Sequence, residues 1–87
     1  MPYITRDDKD KYEPYLSRLR SLINEKTKKG ELTYLVYTLG LEFFKDRKSY
    51  TNISTAISSL QDAAEELRRR HLNPYEDKKI EENGDVF

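Results

Sequence analysis

Apolar positions recur along the chain at helical spacing. Tyr15, Leu16, Leu19, Leu22 and Ile23 fall on one face of a 3.6-residue period. Pro14 stands just ahead of them, and proline costs nothing at a first helical position, where the N–H is unpaired anyway. The pattern therefore predicts a helix over about 14–29. Thr5-Arg6-Asp7-Asp8 has the spacing of a capping box, with Asp8 in place of Glu, and predicts a short turn upstream. Lys26, Lys28 and Lys29 suit the negative end of the helix dipole, and Gly30 predicts the stop.

A second helix is predicted over about 31–45. Leu32, Leu35, Val36, Leu39 and Phe43 form one apolar stripe; Tyr34, Tyr37, Leu41 and Phe44 form another. A helix apolar nearly all round is central or covered on both sides. Gly40 lies within it, either as a tolerated weakness or at a close helix crossing, such as a dimer axis. Leu35, Tyr37, Gly40, Leu41 and Phe44 are the candidate oligomer interface.

After the polar turn Asp46–Ser49, a third helix is predicted over about 50–72, capped by Ser49 or Thr51. Ile53, Ile57, Leu60, Ala64, Leu67 and His71 form its seam, with Ala56 and Ala63 alongside. Glu65→Arg69 and Glu66→Arg70 are i,i+4 pairs that support it. Asn73-Pro74 predicts its end. In the tail, 73–87, a short helix can start near Pro74, and Asn83-Gly84 signals a turn. Tyr3-Ile4 and Asp85-Val86-Phe87 are short apolar pieces, expected to meet on the bundle or to pair as a minimal sheet. The expected architecture is all-α: one small domain of three helices with an ordered C-terminal tail.

Composition narrows the function classes. A chain of 87 residues and 10.4 kDa should bury roughly 64% of its unfolded surface. Hydrophobic residues make up only 36%, so the core is thin and a partner subunit is expected. Without Cys there are no disulfides, thiolate zinc sites or Cys nucleophiles, and a single His, His71, makes no His-rich metal site. No apolar run reaches membrane-spanning length, and Met1–Asp8 lacks the apolar stretch of a signal peptide. A cytoplasmic setting is expected. The balance of 16 Lys+Arg against 16 Asp+Glu argues against nonspecific polyanion binding. That balance is uneven along the chain. Residues 1–30 carry eight basic and five acidic side chains, and residues 73–87 carry two and five. The tail can dock on the first helix of its own chain or a neighbour's, or stay solvated.

The run Pro-Tyr-Glu-Asp-Lys-Lys-Ile-Glu-Glu-Asn-Gly-Asp-Val-Phe at 74–87 resembles the signature of a family of small uncharacterised bacterial, archaeal and phage proteins that end in Phe or Tyr here. Met1-Pro2-Tyr3-Ile4, Gly30-Glu31-Leu32-Thr33-Tyr34 and Leu72-Asn73-Pro74-Tyr75 extend the resemblance over nearly the whole chain. It implies a phage or prophage-related gene and carries over no functional residues.

Three chemistries are open to these residues. Asp62-x-x-Glu65 and Glu82-x-x-Asp85 could hold Mg²⁺ through oxygen ligands, a spacing similar to that of all-helical nucleotide pyrophosphohydrolases. Asp62 in place of Glu, and Gly84 within the second motif, depart from that pattern. Arg68, Arg69 and Arg70 suit phosphate, with Tyr75 as a stacking group, although a basic last turn also answers the helix dipole. The third is protein interaction through the apolar second helix and the seven Tyr. The reading these favour is a non-enzymatic phage-type accessory protein, without a cofactor. It would bind a host protein or a small nucleotide as a homo-oligomer. A nucleic-acid-binding helical protein and an Mg-dependent pyrophosphohydrolase-like enzyme are the alternatives.

Overall fold

Thr5 starts the first helix. Its hydroxyl accepts the Asp8 N–H at 3.2 Å and its carbonyl accepts the Lys9 N–H at 3.0 Å, which satisfies two of the donors a helix start leaves open. In the computed structural model, which describes residues 4–85, α1 accordingly spans Arg6–Leu22 rather than 14–29. Pro14 sits inside α1, not at its start. It forfeits the bond to the Asp10 carbonyl, but that position is exposed, so water can take the freed oxygen. Arg20 donates to Glu13 across two turns beside the proline, holding the Glu13 carboxyl below its ordinary value.

Asn24 and Thr27 end α1 early. The Asn24 N–H donates to the Thr27 hydroxyl at 2.9 Å, and the Thr27 N–H donates to the Asn24 carbonyl at 3.0 Å. The Lys26 N–H donates to Asn24 Oδ1 at 2.8 Å. These local bonds outcompete the helical ladder, and Ile23 is already extended. Gly30 consequently stops nothing: it lies in the first turn of α2, Lys29–Phe44. Glu31 closes that turn, accepting the Lys28 N–H at 2.6 Å while its own N–H donates to the Lys28 carbonyl at 3.0 Å.

Arg47 finishes α2. Its Nε donates to the Phe43 carbonyl at 2.8 Å, and its guanidinium lies 4.3 Å from the Phe43 ring centroid. Ser49 caps α3, Tyr50–Leu67, accepting the Asn52 N–H at 3.1 Å. Asn73-Pro74 does not end the third helix. The backbone passes through a π-helical turn, Arg68–Leu72, and continues as α4, Asn73–Asn83. Pro74 stands in the first turn of α4. It lacks an N–H and its ring crowds the carbonyl four residues back. A widened turn, in which the Asn73 N–H reaches the Arg68 carbonyl, accommodates both defects. Gly84 ends α4 at φ 86°, with its N–H on the Ile80 carbonyl at 2.8 Å.

Every regular element among the described residues is helical, and the ordered C-terminal tail is α4. The strand pairing expected of the termini involves Tyr3, Val86 and Phe87, which lie outside the described residues; Ile4 and Asp85 belong to no strand.

The chain divides into two compact units, residues 1–37 and 38–87. In the first, the end of α1 and the start of α2 enclose an open apolar groove of about 390 Å³, lined by Leu19, Leu22, Ile23, Gly30, Tyr34 and Leu35 among others. In the second, a methyl group placed on Gly40 would stand 3.4 Å from Leu60 of α3, so α2 and α3 pack closely there. Ala56 is the one buried residue among those described.

Removing the α3 cap with Ser49→Ala should cost about 1 kcal/mol and lower Tm by about 4–8 °C in a chain of this size. Gly40→Ala should move Tm the other way, because 3.4 Å is ordinary contact and alanine favours a helix interior by up to about 1 kcal/mol. Thermal circular dichroism reads both.

Candidate functional site

The three consecutive arginines lie on the π turn, and that turn decides where they point. Residues there advance around the axis by less than the roughly 100° of an α-helix, so neighbours in sequence can reach one partner. Arg69 and Arg70 both converge on Glu66. Arg69 Nη2 is 2.8 Å from Glu66 Oε2 and its Nε 3.4 Å from Oε1; Arg70 Nε is 2.7 Å from Oε2. The expected Glu66→Arg70 pair is present. Glu65 pairs instead with Arg68, loosely, at 3.9 Å. Hydrogen bonding from Arg69 is the main cause that holds the Glu66 carboxyl below its ordinary value, with the charges of Arg69 and Arg70 adding and partial burial opposing.

The candidate phosphate set is thereby divided. Arg68 and Tyr75 stay together, on an open groove of about 500 Å³ lined by Ala64, Leu67, Arg68, His71, Leu72 and Tyr75. The floor is apolar, and a guanidinium, an imidazole and a phenol stand along it. Lys79 lies 5.6 Å from the Tyr75 ring centroid and adds positive charge at that end. His71 was legible only as the end of the α3 seam; the groove makes it a neighbour of Arg68 and Tyr75.

The candidate interface residues are also divided. Leu35, Gly40 and Phe44 are half-buried within the chain, Gly40 against Leu60, so this glycine serves an intramolecular crossing. Tyr37 and Leu41 remain exposed, as do Leu32, Tyr34, Val36, Leu39 and Phe43 on the same helix. α2 has no fully buried residue.

A family defined only as a domain of unknown function, DUF6899, matches residues 1–86. The chain belongs to the DUF6899 family. No curated protein and no solved structure matches it.

In this DUF6899 chain the acidic pairs Asp62/Glu65 and Glu82/Asp85 do not assemble a metal site: among the described residues, no three His, Asp or Glu side chains come together to hold an ion. Arg68 takes Glu65, and Lys79 lies 3.5 Å from Glu82. Among the same residues, no helix is long and apolar enough to cross a membrane.

The depressed carboxyl of Glu66 fixes the sign of an acid response. The stability its pairing contributes is complete above the ordinary value of 4.5 and is lost as pH falls through the lower native value. Glu66→Gln should lower Tm at neutral pH and flatten the further loss below about 4.5, as followed by circular dichroism.

Proposed function

We propose that the chain is a non-enzymatic binding protein that works as a homo-oligomer. It offers the groove of Arg68, His71 and Tyr75 to a small nucleotide or to a host protein. The observation that carries this reading is the distribution of apolar surface. Large apolar side chains are exposed on α1, α2, α3 and α4, while only Ala56 among the described residues is buried. Apolar surface on that scale is characteristic of interaction sites. The groove supplies what a nucleotide needs: Arg68 for phosphate, Tyr75 for stacking and an apolar floor between them. Arg69 and Arg70 pair with Glu66 and do not line this groove. Their engagement also weakens the nucleic-acid alternative, which needs a continuous basic face. The pyrophosphohydrolase alternative lacks a convergent carboxylate set among the described residues. The phage-type accessory role rests on the resemblance of residues 74–87.

Two measurements test this. Light scattering on the pure protein should give a mass above the 10.4 kDa of one chain. One-chain mass at every concentration overturns the oligomeric part. In calorimetric titration with mixed nucleotides, Arg68→Ala should weaken binding by about tenfold or more. Binding unchanged in that variant removes the groove as the site.

A further inference from the structure

The groove between the end of α1 and the start of α2 is apolar within and basic around. Leu22 and Tyr34, two of its walls, are 72% and 68% exposed. Residues 18–31, which frame it, carry five basic side chains and two acidic ones. Arg18, Lys26, Lys28 and Lys29 form no ion pair with a described residue. Of the two acids, Glu31 is already engaged by the Lys28 N–H.

α4 carries a face of the opposite character. At about 100° per residue, Glu76, Ile80, Asp77 and Glu81 fall within about 140° of its circumference. No cation lies in that arc. The two lysines of α4 lie on the other side, where Lys79 meets the Tyr75 ring and Glu82. Glu76, Asp77 and Glu81 form no ion pair with a described residue. Ile80, 43% exposed, is the one apolar side chain among them.

We propose that α4 of a second copy docks in this groove, with Ile80 as its anchor and the three carboxylates toward the lysines of the rim. Groove against groove, or α4 against α4, would bring like charges together, so the charges select the crossed pairing. The contact is heterologous. It closes as a dimer when each copy's α4 enters the other's groove, and otherwise runs on as a chain of copies. Tyr75 and Lys79 are on the far side of α4, so the groove of Arg68, His71 and Tyr75 stays open. One isoleucine and a few exposed charge pairs make a small contact, so association is weak and concentration-dependent.

This inference rests on the oligomeric reading above and specifies its contact. Sedimentation of the full chain over about 1 µM to 1 mM tests it. The pair of reversals Lys26→Glu with Lys29→Glu should raise Kd about tenfold or more, and so should Asp77→Lys with Glu81→Lys. A mixture of the two double variants should associate again, because the acidic groove of one then meets the basic α4 of the other. Leu22→Glu and Ile80→Lys should each abolish association while circular dichroism keeps its helical signal. The chain has no Cys, and a methyl group at Gly30 would meet nothing within 4 Å, so a thiol fits there. Oxidising a mixture of Gly30→Cys and Ile80→Cys should cross-link the two variants to each other. Association indifferent to the reversals and to Ile80→Lys overturns this contact and leaves the oligomeric reading standing. A chain carrying both thiols that closes its disulfide only within itself makes its own α4 the occupant and also overturns the contact. A protein that is one chain at every concentration overturns both.

Discussion

Scarcity of burial governs this chain. With Ala56 alone buried among the described residues, tertiary packing cannot carry helices of 16 to 18 residues unaided. These three helices instead begin on a side chain that satisfies a donor the helix start leaves open. Thr5 does so for α1, Glu31 for α2 and Ser49 for α3. The ion pairs are equally local: Glu13–Arg20 lies within α1, while Glu42–Lys45 and Glu66 with Arg69 and Arg70 join a helix to the turn that follows it. Exposed pairs of this kind are worth little singly, so the caps carry more of the local stability than the charges do.

The same scarcity links fold to function. A chain that spent its Leu, Phe and Tyr on an interior would have a smooth polar surface. Here they remain outside, on α2 above all, where both faces of the helix carry large apolar groups. The polar chemistry sits elsewhere, on the π turn between α3 and α4.

The parts of this organisation legible from the residues were those written in single, local signals. Ser49 as a cap, a short helix beginning near Pro74 and the turn at Gly84 each follow from one residue's conformational rule. The parts that escaped depend on comparing two rules at one place. Pro14 reads as a helix start until Thr5 is weighed as the stronger start upstream. Gly30 reads as a stop until the reciprocal Asn24–Thr27 bonds are seen to have stopped α1 already. For the candidate site, Arg68 and Tyr75 were legible as residue types. Their separation from Arg69 and Arg70 was not, because it follows from a widened turn that no spacing rule announces.

That widened turn also limits how the groove surface can be borrowed. The angular offsets between Ala64, Arg68, His71 and Tyr75 are those of a backbone that unwinds midway. A regular helical peptide bearing the same side chains in the same order would display them at different azimuths. Mimicry of this face, by a natural competitor or a designed one, therefore has to reproduce the irregular backbone as well as the residues mounted on it.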